Sequence, residues 1–313
     1  GGAGFIGSNF VKHILREYPA YKIVNLDKLT YAGNLGNLKE IARDKRHTFI
    51  RGDICDSKLA EKAARGCGAI VNFAAETHVD RSIADCACFM RSNYTGVYTL
   101  LETARKLKIK RFIQIGTDEV YGSARKGEFG ENSPLSPSNP YSASKAAADL
   151  LALSYFKTYQ TPVMITRSSN NFGPSQYPEK VIPVFISNAL RGKPLPVYAG
   201  GENIRDWLFV EDNCRAISLV LRKGKPGEIY NIGGVKKIKN IALAGMGLKL
   251  LGKPADMWKS VKDRPGHDFR YAMNCDKIHS LGYRPRYKFE QALRLTVEWY
   301  SKNGDWWKRR ASK

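Results

Sequence analysis

The sequence predicts an α/β protein, a Rossmann-type doubly wound parallel sheet with a smaller mixed α/β lobe, and three observations predict it. Short β-rich runs alternate with helical stretches through the first half of the chain, an order that implies right-handed crossovers between parallel strands. A glycine cluster opens a helical pattern at residues 1–8, where backbone N–H groups can approach a pyrophosphate at a helix N-terminus. After about residue 167 the chain becomes richer in Pro and Gly, as in Gly173-Pro174, Tyr177-Pro178 and Lys193-Pro194-Leu195-Pro196, and helix and strand signals shorten.

In chain order, residues 21–26, 48–51, 69–73 and 111–116 read as strands, separated by helical patterns at 8–17, 57–64, 93–107 and 142–158. Runs at 163–166 and 228–232 can extend the sheet. A middle strand is expected ahead of Gly1, so residues are expected there that this sequence lacks. The expected division is a dinucleotide-binding lobe at 1–166, which also receives part of 205–235, and a substrate lobe at 167–313. Residues 304–313 are expected to be a surface end.

Of the 313 residues 43% are hydrophobic and 26% charged, ordinary values for a soluble globular protein. No apolar run approaches the ~18 residues that cross a membrane. Cys55, Cys67, Cys86, Cys88, Cys214 and Cys275 form no CxxC pair. They read as reduced thiols of a cytoplasmic protein with no metal site. The net charge of +22 raises nucleic-acid binding. The basic residues are spread along the chain, however, with only short clusters at 105–111 and 308–310, and no nucleic-acid motif accompanies them. A general basic surface, which would also steer a diphosphate substrate, is the preferred reading.

The opening Gly1-Gly2-Ala3-Gly4-Phe5-Ile6-Gly7-Ser8 contains both G-x-G-x-x-G and G-x-x-G-x-x-G. Asp27 ends the next strand, at the distance where a carboxylate accepts bonds from the adenosine ribose, which favours NAD over NADP. Tyr141-Ser142-Ala143-Ser144-Lys145 places a phenol and an ammonium on one helix face. The ammonium is expected to lower the tyrosine pKa so that a phenolate can take a proton from a sugar hydroxyl. Thr117-Asp118-Glu119 ends a central strand, and elimination of water needs one acid and one base.

Together with Asp27–Asn34 (DKLTYAGN), Ala74–Ser82 (AAETHVDRS), Asn170–Pro174 (NNFGP), Pro178-Glu179-Lys180, Arg205-Asp206-Trp207 and Asp263–Asp268 (DRPGHD), these motifs resemble the extended short-chain dehydrogenase/reductases. Within them they resemble the dTDP-glucose 4,6-dehydratase family. The resemblance runs over essentially the whole chain, and Thr117-Asp118-Glu119 is its most specific part. It implies a lyase that oxidises C4 of the sugar, eliminates water across C5–C6 and returns hydride to C6 with a tightly held, recycled NAD. Tyr141, Lys145 and Thr117 would serve the C4 hydroxyl, Asp118 would protonate the leaving C6 hydroxyl, and Glu119 would take the C5 proton. For the cofactor it implies Gly1, Gly4, Phe5, Ile6, Gly7, Asp27, Lys28, Leu29, Thr30, Asp53, Ile54, Ala74, Ala75, Glu76, Ser92, Tyr141, Lys145 and Asn171. For the nucleotide-sugar it implies His78, Thr117, Asn170, Lys180, Val181, Pro196, Val197, Tyr198, Arg205, Asn240, Asp263, Arg264 and His267, with Arg205 and Arg264 suited to a diphosphate. It also implies a homodimer through a four-helix interface built from 93–107 and 142–158. Gly116, Asn213, Lys237 and Cys86 depart from the family's usual residues. A UDP- or CDP-sugar dehydratase or epimerase is the neighbouring alternative. A non-catalytic NAD-binding or RNA-binding protein is the distant one.

Overall fold

A computed structural model describes residues 1–124, 126–262 and 270–308. The first half runs through α1 (Phe5–Glu17), β1 (Ile23–Asp27), a 3-10 turn at Leu35–Ile41, β2 (His47–Arg51), α2 (Ser57–Ala64), β3 (Ala69–Asn72), α3 (Val79–Ala84) and α4 (Ala87–Phe89). A π-helical stretch, Met90–Thr95, carries α4 into α5 (Gly96–Lys106); β4 (Arg111–Thr117), a 3-10 turn at Asp118–Tyr121, α6 (Pro140–Tyr159) and β5 (Val163–Ser168) follow. The second half contains β6 (Asn170–Phe172), α7 (Val181–Leu190), β7 (Leu195–Tyr198), β8 (Ile204–Phe209), α8 (Val210–Lys223) and β9 (Ile229–Ile232). It continues with β10 (Lys236–Lys239), α9 (Asn240–Leu250), β11 (Trp258–Val261), α10 (Asp276–Ser280), α11 (Phe289–Lys302) and α12 (Gly304–Lys308).

The strands β3-β4-β5-β9 form one parallel sheet, and β1 pairs with β2 in parallel. Gly1 bridges the two: its nitrogen donates to the Leu26 carbonyl at 2.5 Å, and a Cβ on it would lie 2.3 Å from the Ala74 nitrogen, beyond the end of β3. Every residue of β5 and all of β4 after Arg111 is buried, as continuous apolar strands must be when helices cover both faces. One apolar cluster joins α1, α8 and the second-half helices; the other joins α2, α5 and α6. Strand β8 lies between β6, parallel to it, and β10, antiparallel, while β7 and β11 make a separate parallel pair.

The start of α6 is fixed by its sequence. Asn139 accepts from the Ser142 nitrogen at 3.0 Å, its own nitrogen donates to Ser142 Oγ at 3.3 Å, and Pro140 occupies the first turn. This reciprocal cap satisfies donors that the helix leaves open and places Tyr141 just inside the helix.

Two expectations are corrected. Among the described residues the second half holds four helices of 10 to 14 residues, α7, α8, α9 and α11, where shorter signals were expected. Two of them, VIPVFISNAL and NIALAGMGLKL, are apolar almost all round, the first because neighbours cover it and the second although Ala242, Gly245 and Leu250 stand exposed, which erases the periodicity that marks a surface helix. The described part of the tail is also no loose end. α12 buries Trp307 to 2% exposure, its Nε1 donating to the Tyr300 carbonyl at 2.8 Å, and Trp306 Nε1 donates to Asn37 Oδ1 at 2.8 Å. Two adjacent indoles bury too much apolar surface to be left in water. Replacing Trp307 by Ala should therefore cost about 3–5 kcal/mol in urea unfolding; a loss below about 1 kcal/mol would show that the tail is only loosely attached.

Candidate active site

Helix α1 begins at Gly4, an extended N-cap that contributes no side-chain bond, so its first N–H groups face outward. A Cβ on Gly7 would lie 2.3 Å from the Gly1 carbonyl, so only glycine allows the loop to fold this tightly. A cleft of about 580 Å³, open to solvent, lies in front of it. Its walls include Gly1, Gly4, Asp27, Lys28, Thr30, Asp53, Ile54, Ala74, Ala75, Glu76 and Ser92, all expected for the cofactor. Phe5, Ile6 and Gly7 form the first turn of α1, Leu29 lies within the same loop as Lys28, Asn171 is in β6, and Tyr141 and Lys145 are on α6; these seven are not among the wall residues.

Asp27 shapes this loop. One carboxylate oxygen accepts from the Ala3 nitrogen at 2.9 Å and the other from the Leu29 nitrogen at 2.8 Å. Leu29 stands at φ +58°, a left-handed conformation that costs a leucine energy and persists only where its surroundings enforce it. Lys28 Nζ reaches Asp53 at 2.8 Å. Burial works against the Asp53 charge, but the bond from Lys28 holds its carboxyl below the usual range.

Tyr141 and Lys145 are both buried. Lys145 Nζ donates to the Ile115 carbonyl in β4 at 2.5 Å. Burial lowers its pKa and Asp149 raises it. The Tyr141 hydroxyl is within hydrogen-bond reach of Thr77 and Thr117. The expectation of a lowered tyrosine pKa is corrected: burial first, then the nearby Glu119, pushes it upward. Removing the phenol from water costs the phenolate more than two hydroxyl partners return.

Thr117 ends β4 and caps the 3-10 turn, its Oγ1 accepting from the Glu119 nitrogen and donating to Asp118 Oδ1, both at 3.3 Å. Asp118 is 3% exposed and Glu119 half-buried. Burial, together with the charges of Glu119 and Asp206, pushes the Asp118 carboxyl well above the usual range, against the pull of Arg205. The strand end thus holds a buried carboxyl whose charged form is disfavoured next to a more accessible one.

The residues expected for substrate come from several elements. His78 caps α3 at φ +109°. Lys180 caps α7, with Nζ 3.3 Å from Thr77 Oγ1, and Val181 follows it. Pro196, Val197 and Tyr198 lie on β7, while Arg205 on β8 stacks 4.5 Å over the Tyr271 ring. Asn170 in β6 and Asn240 at the start of α9 each keep a buried side-chain oxygen without a partner among the described residues. Asp263, Arg264 and His267 lie outside the described residues.

Some contributors were not singled out from sequence. Asn93 donates to the Glu76 carbonyl at 3.0 Å and accepts from the Glu76 nitrogen at 2.8 Å, and it also donates to Ser144 at 2.9 Å. It thereby ties the cleft wall to the tyrosine helix. An Asn within a helical pattern carries no motif, so only its buried polarity could have marked it. Two departures gain reasons here. A Cβ on Gly116 would stand 2.9 Å from the Thr166 carbonyl and 3.2 Å from Asp149 Oδ2, so a side chain would displace buried polar groups. Asn213 accepts from Ser168 at 2.9 Å and donates to Asn171 at 2.8 Å. Among the described residues no cluster of three His, Cys, Asp or Glu could hold a metal.

The GDP-mannose 4,6 dehydratase family model matches residues 1–296. A dTDP-glucose 4,6-dehydratase of Streptomyces niveus is 51% identical over 98% of this chain and 93% of its own length. DesIV, a dTDP-glucose 4,6-dehydratase from Streptomyces venezuelae solved with NAD bound, is 48% identical with a TM-score of 0.96, covering 99% of this chain and 98% of that one. A dTDP-glucose 4,6-dehydratase of Bacillus anthracis in complex with NAD is 49% identical with a TM-score of 0.93, at 99% and 97% coverage.

The raised Asp118 carboxyl sets a stability profile. Below the unfolded carboxylate pKa both states carry the proton and the residue is neutral in the balance. As pH rises from there through the raised folded value, the folded state becomes progressively less favoured. Asp118→Asn should therefore leave the urea midpoint unchanged below about pH 4 and raise it towards neutrality. A variant less stable than the parent at neutral pH would contradict this assignment.

Proposed function

The chain belongs to the GDP-mannose 4,6 dehydratase family, and from that premise we propose that it acts as a dTDP-glucose 4,6-dehydratase, an NAD-dependent hydro-lyase. The observation that carries the reading is the Thr117-Asp118-Glu119 turn at the buried end of β4, beside the helix that carries Tyr141 and Lys145. An enzyme that only inverts C4 needs no acid–base pair at that turn.

The cleft suits NAD. Its glycine loop leaves helix N–H groups free for a pyrophosphate, and the buried Asp27 carboxylate would repel the 2′-phosphate of NADP. When bound, NAD supplies hydride-accepting and then hydride-donating chemistry, and its positive nicotinamide ring would favour the Tyr141 phenolate. Tyr141, with Lys145 and Thr117, takes the C4 hydroxyl proton. The 4-ketone so formed acidifies the C5 proton, which Glu119 removes. Asp118, whose charged form burial disfavours, gives a proton to the departing C6 hydroxyl, which leaves as water. Lys180 and Arg205 offer cations to the substrate diphosphate. Residues 1–166 with part of 205–235 would form the cofactor lobe, and the rest of 167–313 the substrate lobe.

No helix of the described residues is long and apolar enough to cross a membrane, and a cytoplasmic setting fits the free thiols of its cysteines. A homodimer through α5 and α6 would cover Tyr98 and Leu150, 47% and 57% exposed, which stand outward as large apolar groups do at an interface.

Purified protein incubated with dTDP-glucose and no added NAD should yield the 4-keto-6-deoxy product by mass. Conversion of UDP- or CDP-glucose alone would overturn the nucleotide assignment. Glu119→Gln should lower kcat by about 10²–10⁴-fold while C4 oxidation continues. Full turnover by that variant would remove Glu119 from the base role.

A further inference from the structure

Behind the catalytic residues lies a buried ion pair that the mechanism does not use. Asp149, one turn after Lys145 on α6, accepts from Arg167 Nε of β5 at 2.9 Å, with side chains 0% and 2% exposed. The Arg167 guanidinium lies 4.8 Å above the Tyr121 ring, in the turn that carries Asp118 and Glu119. Tyr121 is anchored from its other sides, its hydroxyl donating to Asn231 at 2.8 Å and its ring stacking on Phe129 at 5.3 Å.

Such a pair is costly. Taking two charges out of water is repaid only by good geometry, and an apolar pair of similar volume is often no less stable. Here the satisfaction is incomplete, since Asp149 Oδ1 and Arg167 Nη1 have no hydrogen-bond partner among the described residues. Stability alone therefore gives a weak reason for the pair. Its placement gives a stronger one: it is a rigid link from the helix of the redox residues, Tyr141 and Lys145, to the turn of the elimination residues.

Building on the dehydratase reading, we propose that Arg167, clamped by Asp149, is a positioning residue that couples the two halves of the reaction by holding the Asp118–Tyr121 turn at a set distance from α6. A planar guanidinium can accept the carboxylate through its edge while stacking its face on a phenol ring, which an ammonium cannot do. C4 oxidation uses groups on α6 and Thr117 at the strand end. Elimination needs the turn itself. Loosening the link should thus slow the second half while sparing the first.

The test is Arg167→Lys in the NAD-loaded full chain with dTDP-glucose. Lysine keeps a partner charge for Asp149 and loses the flat stack on Tyr121. The expected result is a KM within about twofold of the parent, a kcat lowered at least about tenfold, and reduced nicotinamide accumulating in the steady state by its absorbance. If that variant does not fold, Tyr121→Leu, which keeps the ion pair and removes the ring under the guanidinium, is read in the same way. A kcat within about twofold of the parent overturns the proposal. A lowered kcat with no rise in reduced cofactor also overturns it, because oxidation would then have failed alongside elimination and the pair would be packing only. Absence of product from the parent chain would sink the dehydratase reading itself and this inference with it.

Discussion

The catalytic half of this molecule depends on how one buried strand ends. β4 is bonded on both sides, to β3 and β5, and its ladder with β5 ends at Thr117. Thr117 turns its own hydroxyl to the Glu119 nitrogen. That cap reverses the chain into a single 3-10 turn. Asp118 is thereby driven inward and Glu119 left at the rim, so two carboxyl groups on adjacent residues differ in their exposure to water. A longer strand would have placed them on opposite faces of the sheet with no shared target. Tyr141 and Lys145 reach the same point because α6 starts beside it, capped by Asn139.

The site accumulates polar burial that a purely structural protein would avoid. Asp118, Lys145, Asp149, Arg167, Arg205 and Asp206 are each no more than 5% exposed, and for the four whose titration is displaced at the carboxyl or ammonium, burial is the first cause. Desolvation of this kind disfavours the charged form of each group. The apolar clusters on both faces of the main sheet carry that burden, and the return is a set of titrating groups displaced from their ordinary ranges before any substrate arrives.

Much of this was legible in the sequence, for physical reasons that can be named. The glycine loop, Asp27 and the tyrosine–lysine helix are local patterns: each is a few residues whose backbone demands or spacing are visible in one dimension. The Thr117-Asp118-Glu119 turn was legible because two acids flanked by Ile115, Val120 and Tyr121 conflict with an apolar setting. What escaped had one of two causes. α7 is buried on nearly all sides, and the exposed face of α9 carries Ala242, Gly245 and Leu250, so no amphipathic stripe marks either. Asn93, Thr77, Asp149 and Arg167 act through contacts between distant segments, and single residues of ordinary type carry no sign of such partners. The tyrosine pKa was misjudged because a neighbour in sequence was weighed more heavily than burial, which sequence does not show.

The Gly116 contacts bear on how this chain can change over generations. An added side-chain carbon there meets the Thr166 carbonyl and both members of the buried ion pair, so a substitution at 116 and one at 149 or 167 are not independent. A serine there would need the β5 backbone at Thr166 to shift as well as the ion pair to give way, so a smaller residue at 167 alone would not make room for it. An exchange of residue 116 alone between relatives would disturb the strand together with the pair.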